Sequence, residues 1–283
     1  MNPLLSLPQP LLATAIALFG ACIGSFLNVV VWRLPRQESL VLPGSHCPRC
    51  GASLAWYDNI PLLSWLHLRG RCRHCRASIS VRYPLVELLT AGLFVMMLLA
   101  QPSGLGPAPM QPLRLFCGWL LAAWLIPLTL IDLDSQWLPE PLCRWGLLMG
   151  LLATTAVGLL QSPALARNLL LEHLIAAAAG LLAFEATALL AQRLLGRPAL
   201  GLGDAKLAAL MGAWLGPTGL ALAVAVAVIC GGAIGAAGLL SGRLKRHQAV
   251  PFGPFLAIGT LSVWIGGHGP WLALLGIGSR AAF

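Results

Sequence analysis

The sequence predicts an all-α polytopic membrane protein, with about eight transmembrane helices and a small cytoplasmic zinc-binding loop domain. Three observations carry that prediction. The 283 residues are 58% hydrophobic and only 10% charged, where an ordinary soluble domain has roughly 25% charged residues. Apolar runs of spanning length recur along the chain. One polar segment, 33–83, interrupts them and holds two pairs of cysteines. The composition excludes a disordered chain, which needs low hydrophobicity. It also excludes a soluble globular enzyme, because so few polar side chains cannot cover a surface that faces water.

A spanning helix takes about 20 mostly apolar residues. Eight runs qualify as candidates: 9–32, 84–101, 112–131, 139–160, 168–195, 204–216, 217–240 and 251–277. The first lacks a basic start and is too long for a signal-peptide core, so it reads as a retained helix. The run 139–160 contains Arg144, and 204–216 contains Lys206. The latter is short for a full crossing and is parted from its successor by Pro217 and Gly219. The chain thus divides into a first transmembrane helix (1–32), a cysteine loop domain (33–83) and a transmembrane core (84–283).

Lys and Arg placement sets orientation, because positive loops stay cytoplasmic. The 33–83 segment holds Arg33, Arg36, Arg49, Arg69, Arg71, Arg73, Arg76 and Arg82. With alternating sides, Arg144, Arg193, Arg197, Lys206, Arg243, Lys245 and Arg246 fall at the same face. Only Arg114, Arg167 and Arg280 fall at the other. This asymmetry predicts an even number of spans, with both termini outside the cytoplasm. The net charge of +9 is then a topology signal and an attraction to anionic lipid. Nucleic acid is not predicted as a partner: the basic loop has Trp56, Tyr57 and Trp65 but no motif for stacking bases.

Within that loop the sequence reads Cys47-Pro48-Arg49-Cys50, then 21 residues, then Cys72-Arg73-His74-Cys75. Two C-x2-C knuckles supply four thiolates, which suits closed, tetrahedral, structural zinc. The segment is small for a core of its own, so a metal staple makes physical sense. Two disulfides are the competing reading, disfavoured in a reducing compartment. His46 and His74 adjoin the knuckles and could replace a cysteine as ligand, but read as neighbours only. Cys22, Cys117, Cys143 and Cys230 lie singly in apolar runs and read as buried small hydrophobes.

The acidic residues number nine: Glu38, Asp58, Glu87, Asp132, Asp134, Glu140, Glu172, Glu185 and Asp204. Ionisable groups in or beside a membrane are expensive and point to function. Two clusters stand out at one predicted face. One is Asp132-Leu133-Asp134, followed by Leu138-Pro139; the other is Gly201-Leu202-Gly203-Asp204-Ala205-Lys206. Two carboxylates in one site can share a proton: the ionised partner activates water and the protonated one polarises a scissile carbonyl. Asp132 and Asp134, two apart, do not share a helix face, so they do not form such a pair with each other. Gly201 and Gly203 allow close backbone approach. With Lys206 they are candidates for substrate contact or site support. For any single aspartate the alternative is a helix-end residue or an N-cap. Glu87, Glu172 and Glu185 read as structural, paired with Arg or His. His173 reads as interfacial.

The ordered set of motifs resembles the type IV prepilin peptidases, also called prepilin leader peptidase/N-methyltransferases, relatives of the Gly-x-Gly-Asp intramembrane aspartyl proteases. The resemblance rests on Gly24-Ser25-Phe26-Leu27-Asn28 with Arg33-Leu34-Pro35, the two knuckles, Arg82-Tyr83-Pro84 with Glu87, Ile131-Asp132 with Leu138-Pro139, the Gly201–Leu207 stretch, and Pro251-Phe252-Gly253-Pro254-Phe255. It implies a bacterial inner-membrane enzyme that cleaves a basic leader from prepilins or type II secretion pseudopilins after a glycine, at the cytoplasmic face. It further implies N-methylation of the new terminus with S-adenosylmethionine, and Asp132 and Asp204 as the catalytic pair. Glu140 stands where the family often has Asp. No glycine-rich nucleotide loop marks the methyl-donor pocket. Two readings compete: a transporter with intramembrane carboxylates, and a zinc-stabilised assembly scaffold without catalysis.

Overall fold

The computed structural model describes residues 8–100, 111–196, 201–245 and 250–274. Among these the structure is helical, without a β-strand. Arg197, Arg246 and Arg280, and the ends of the runs 84–101 and 251–277, lie outside the described residues. Two compact units emerge, Met1–Gln101 and Pro102–Phe283.

In the first unit, α1 (Gln9–Arg33) packs along α3 (Arg82–Leu99). Small residues on α1 set the approach. A Cβ on Gly20 would stand 2.8 Å from the Ala91 Cα, and one on Gly24 would stand 2.7 Å from the Glu87 Cα. Backbones this close gain dispersion contacts, which drive helix association where lipid gives no hydrophobic contrast. Polar groups fasten the ends: Asn28 donates to the Tyr83 carbonyl at 3.1 Å. Arg33, buried at the end of α1, donates to the carbonyls of Ser39, Pro43 and Gly44. It thereby anchors the start of the cysteine loop. The short helix α2 (Leu63–His67) lies within that loop.

The second unit comprises α4 (Gln111–Ser135), α5 (Glu140–Leu159), α6 (Pro163–Leu195), α7 (Leu202–Leu240), α8 (Gly253–Gly266) and α9 (Gly269–Leu274). Its core gathers Leu121, Leu125, Leu128, Leu207, Leu210, Met211, Trp214 and Leu256. Leu152, Leu182, Leu189 and Ile229 remain outside, more than half exposed, as expected of helices whose solvent is lipid.

Six helices are long and apolar enough to cross a membrane, and Gly253–Gly266 is a shorter apolar one. Two predicted boundaries change. The runs 204–216 and 217–240 form the one element α7, yet the break expected between them is present: Gly216 takes φ 68 and ψ −176. Pro217 lacks an N–H and crowds the carbonyl four residues earlier, which belongs to Ala213. His173 of α6 takes up that freed carbonyl, its Nδ1 donating to the Ala213 oxygen at 3.0 Å. The residue read as interfacial is therefore a bridge to a broken helix. The run 251–277 is likewise interrupted, because α8 ends at Gly267 with φ 69. Counting α7 as two arms and adding α8 gives eight apolar helical segments of ten residues or more among the described residues.

Candidate functional site

The cysteine loop is built by repetition. In each knuckle the first cysteine's N–H bonds a carbonyl five residues on: Cys47 to Ala52 at 2.9 Å and Cys72 to Ala77 at 2.8 Å. The fifth position of each turn has positive φ, Gly51 at 70° and Arg76 at 60°. Short antiparallel bridges close both turns, His46 with Ser53 and Arg71 with Ser78. The N–H groups of Cys50 and Arg49 point at the Cys47 sulfur and hold that thiol down to about 6. Those of Cys75 and His74 lower Cys72 in the same way.

The four sulfurs of Cys47, Cys50, Cys72 and Cys75 all lie within 4.8 Å of one another, and Cys47 and Cys75 are 3.8 Å apart. A zinc ion with bonds of about 2.3 Å to sulfur needs tetrahedron edges of about 3.8 Å. The donor set and its spacing therefore fit, and the cluster could hold a metal ion. All four cysteines are free thiols here.

Around the cluster, Trp65 covers Gly70 and donates to the Ile79 carbonyl at 3.2 Å. Arg73 makes a forked pair with Asp58, at 2.6 Å from Nη2 to Oδ1 and 3.0 Å from Nε to Oδ2. That guanidinium bond holds the Asp58 carboxyl below its usual value. Glu87, on α3, accepts from the Leu62 N–H at 2.7 Å and from Ser25. The sequence predicts an Arg or His partner for it; its partners are instead a backbone amide in a positive-φ turn and a hydroxyl. A cavity of about 400 Å³ opens in this unit, with Asn28, Trp32, Tyr83 and Glu87 in its lining.

In the second unit both predicted aspartates are buried, Asp132 at 5% exposure and Asp204 at 8%. Asp134 is exposed, as its opposite helix face requires. Asp132 lies one turn before the end of α4, and its Oδ2 accepts the Gly253 N–H at 3.0 Å. Asp204 lies in the first turn of α7, where its Oδ2 accepts the Gly201 N–H at 3.3 Å. The two motifs meet through the turn after α4: a Cβ on Gly203 would stand 3.1 Å from the Leu138 Cβ. Asp204 is within electrostatic range of Asp132. Gly201 and Lys206 are exposed and Gly203 half-buried, so Lys206 is directed away from the packed interior. Cys143, at the start of α5, is within electrostatic range of Asp204 and Lys206. Glu140 opens α5 and is 4.0 Å from Arg144.

Two residues escape sequence reasoning. Gly253 sits in a motif without chemistry of its own type, and only the fold brings its amide to Asp132. His173 could be sought from Pro217, which frees the Ala213 carbonyl, but nothing local says which helix supplies the donor.

A profile described as the bacterial peptidase A24 N-terminal domain matches residues 18–101, and that of the type IV leader peptidase family matches residues 119–236. The type 4 prepilin-like proteins leader peptide-processing enzyme of Escherichia coli O78:H11 is 42% identical, over 90% of this chain and 93% of its own. A prepilin leader peptidase/N-methyltransferase of Myxococcus xanthus is 42% identical over 73% of this chain and 57% of its own. That of Aeromonas salmonicida is 36% identical over 92% and 89%. No solved structure matches. Two buried carboxylates in a polytopic helical protein, a four-cysteine loop before them, and identity over nine-tenths of the chain agree: this protein belongs to the type IV leader peptidase family.

Proposed function

We propose that the chain is a prepilin leader peptidase and N-methyltransferase of the bacterial inner membrane. It cleaves the short basic leader of type IV prepilins or type II secretion pseudopilins after a glycine. Asp132 and Asp204 are its catalytic pair. The observation that supports the reading is that both aspartates are buried, within electrostatic range of one another, and each has one carboxylate oxygen tied to a glycine amide. One carboxylate takes a proton from water while the other, protonated, polarises the scissile carbonyl. Apparent pKa values for such a pair belong to both groups together. Exposed Gly201 leaves room beside Asp204 for an extended substrate backbone, Gly203 supports the site by its close packing on Leu138, and exposed Lys206 faces the substrate's approach. The basic loops put the site and the cysteine loop at the cytoplasmic face, against anionic lipid.

The Cys47, Cys50, Cys72 and Cys75 cluster holds structural zinc, closed by four thiolates and without a catalytic position. The chain divides into the first helix (1–32), the cysteine loop as one working module (33–83) and the peptidase core (84–283). S-adenosylmethionine supplies the methyl group placed on the new terminal amine. The cavity in the first unit falls within the size range of small-molecule sites and supports a place for it there, with Trp32 and Tyr83 offering aromatic surface.

Incubation of the zinc-loaded chain with a prepilin, with and without S-adenosylmethionine, tests the whole reading. Mass analysis is expected to find leader loss in both and an added methyl only with the donor. Cleavage that survives in either Asp132→Asn or Asp204→Asn removes that residue from the pair. Intact prepilin with every variant and the wild type would favour the transporter or scaffold readings.

A further inference from the structure

Gly253 opens α8, and the first N–H groups of a helix have no partner within it. Pro254 has no N–H to satisfy, and Phe255 and Leu256 both donate to the Phe252 carbonyl, at 3.0 and 3.2 Å. The remaining donor, the Gly253 N–H, reaches across 121 positions of chain to Oδ2 of Asp132. The bond is buried. A side chain cannot be added: a Cβ at this position would stand 2.6 Å from that same oxygen and 3.1 Å from the carboxyl carbon. Glycine is thus the residue that lets this amide and this carboxylate meet.

The rest of α8 is clamped to α7, the helix that begins with Asp204. A Cβ on Gly259 would collide with the Ala223 carbonyl oxygen of α7, and the Phe255 ring lies 3.2 Å from the Cβ position of Gly231. One end of α8 therefore holds Asp132, and its body is locked to the helix of the other aspartate. The Gly201 amide on Asp204 differs in kind. It is a bond three residues apart that the local helix start makes by itself, whereas the Gly253 bond exists only if α4, α7 and α8 are assembled.

We propose that Gly253 is a positioning residue for leader cleavage, an inference that rests on the aspartate pair proposed above. Its amide ties Oδ2 of Asp132 and stops rotation about a terminal torsion that is otherwise broad. Oδ1 is left as the oxygen that faces water and the transferring proton. Pre-orientation of this kind acts on the chemical step, because small misplacements of a reacting group cost rate.

The direct test replaces Gly253 by glycolic acid in the full zinc-loaded chain, which turns the amide into an ester. This deletes the N–H and adds no atom that could clash. The expected result is a fall in kcat of about 100-fold, with KM for the prepilin unchanged and the melting temperature lowered by no more than the loss of one buried hydrogen bond. Gly253→Ala is expected to lose more, because its Cβ displaces the carboxylate. Pro254→Ala, which leaves the amide in place, is expected to cleave normally. An ester variant with wild-type kcat, or with only KM raised, overturns the positioning role. Asp132→Asn is measured in parallel. If it cleaves, the aspartate pair fails and the proposal with it; if it is inactive while the ester is active, only the role of Gly253 fails.

Discussion

The cysteine loop and the candidate aspartate site both gather ionisable groups from separate parts of the chain, by opposite means. In the loop each knuckle is made by residues within six positions of one another, and the two are brought together over a short stretch of chain. Its closing forces are polar: turn hydrogen bonds, the forked Arg73–Asp58 pair, and the carbonyl anchors of Arg33. In the aspartate site the groups come from α4, α7 and α8, and the closing force is tight packing. Gly212 shows how tight, since a Cβ there would stand 2.6 Å from the backbone of Ala176. A small polar segment lacks the volume for a core and needs a staple. A bundle in lipid lacks a hydrophobic drive between helices and needs small residues and shape.

That contrast can be broken or sharpened by five measurements. The largest effect belongs to metal. One zinc per chain is expected, and Cys47→Ser with Cys72→Ser is expected to lose it and leave the loop open to protease. Structural zinc sites carry apparent binding free energies of about 10 kcal/mol. Metal-free wild type with a protease-resistant loop would show that the staple is unnecessary. Next, Asp132→Asn and Asp204→Asn are each expected to lower cleavage by about 1,000-fold or more, with zinc content unchanged. Loss of zinc in these variants would erase the separation between the two regions.

Packing comes third. Gly212→Ala should cost about 1–3 kcal/mol through overpacking, measured by thermal unfolding in detergent. Gly92→Ala has open space around it, and should be neutral or stabilise by about 0.5–1 kcal/mol, the helical advantage of Ala over Gly. Equal effects at the two positions would refute the close-packing account. Fourth, His173→Ala strands the Ala213 carbonyl. It should cost about 1–2 kcal/mol, toward the lower end for an unsatisfied buried acceptor. His173→Gln, which keeps a donor, should recover part of this.

The smallest effect is electrostatic. The Arg73 bond lowers the Asp58 pKa below its usual 3.8. A lowered folded-state pKa contributes stability that is full above the unfolded value and disappears as pH falls through the folded one. Acidification below about pH 4 should therefore loosen the wild-type loop and have less effect on Asp58→Asn. Arg73 is 40% exposed, so the gain is modest, and high salt should shrink it further. An identical acid response in the two proteins would exclude the pair as a source of loop stability.

Much of this was legible along the chain. Apolar length marked the helices, with Pro217 marking the break in α7. The C-x2-C spacing marked the sulfur cluster, because a tight turn of that length has few ways to point two thiols. Scarcity marked the acids: with nine in the whole chain, Asp132 and Asp204 could be singled out by enumeration and context. Other features were not legible. Glu87 gave no sign that it would hold the Leu62 amide, nor His173 that it would reach Ala213. Partners separated by tens of residues leave no trace in local pattern.

By itself, then, the amino-acid sequence determined the membrane class, the segments that become helices, the paired knuckles and the identity of the candidate acids. These depend on hydropathy, turn chemistry and short spacing, which act over a few residues. Tertiary structure alone decided that the turn after α4 packs on Gly203, that the Gly253 amide meets Asp132, and that α8 clamps the helix of Asp204. Those are contacts between backbones at van der Waals distance, and their geometry follows from how whole helices cross.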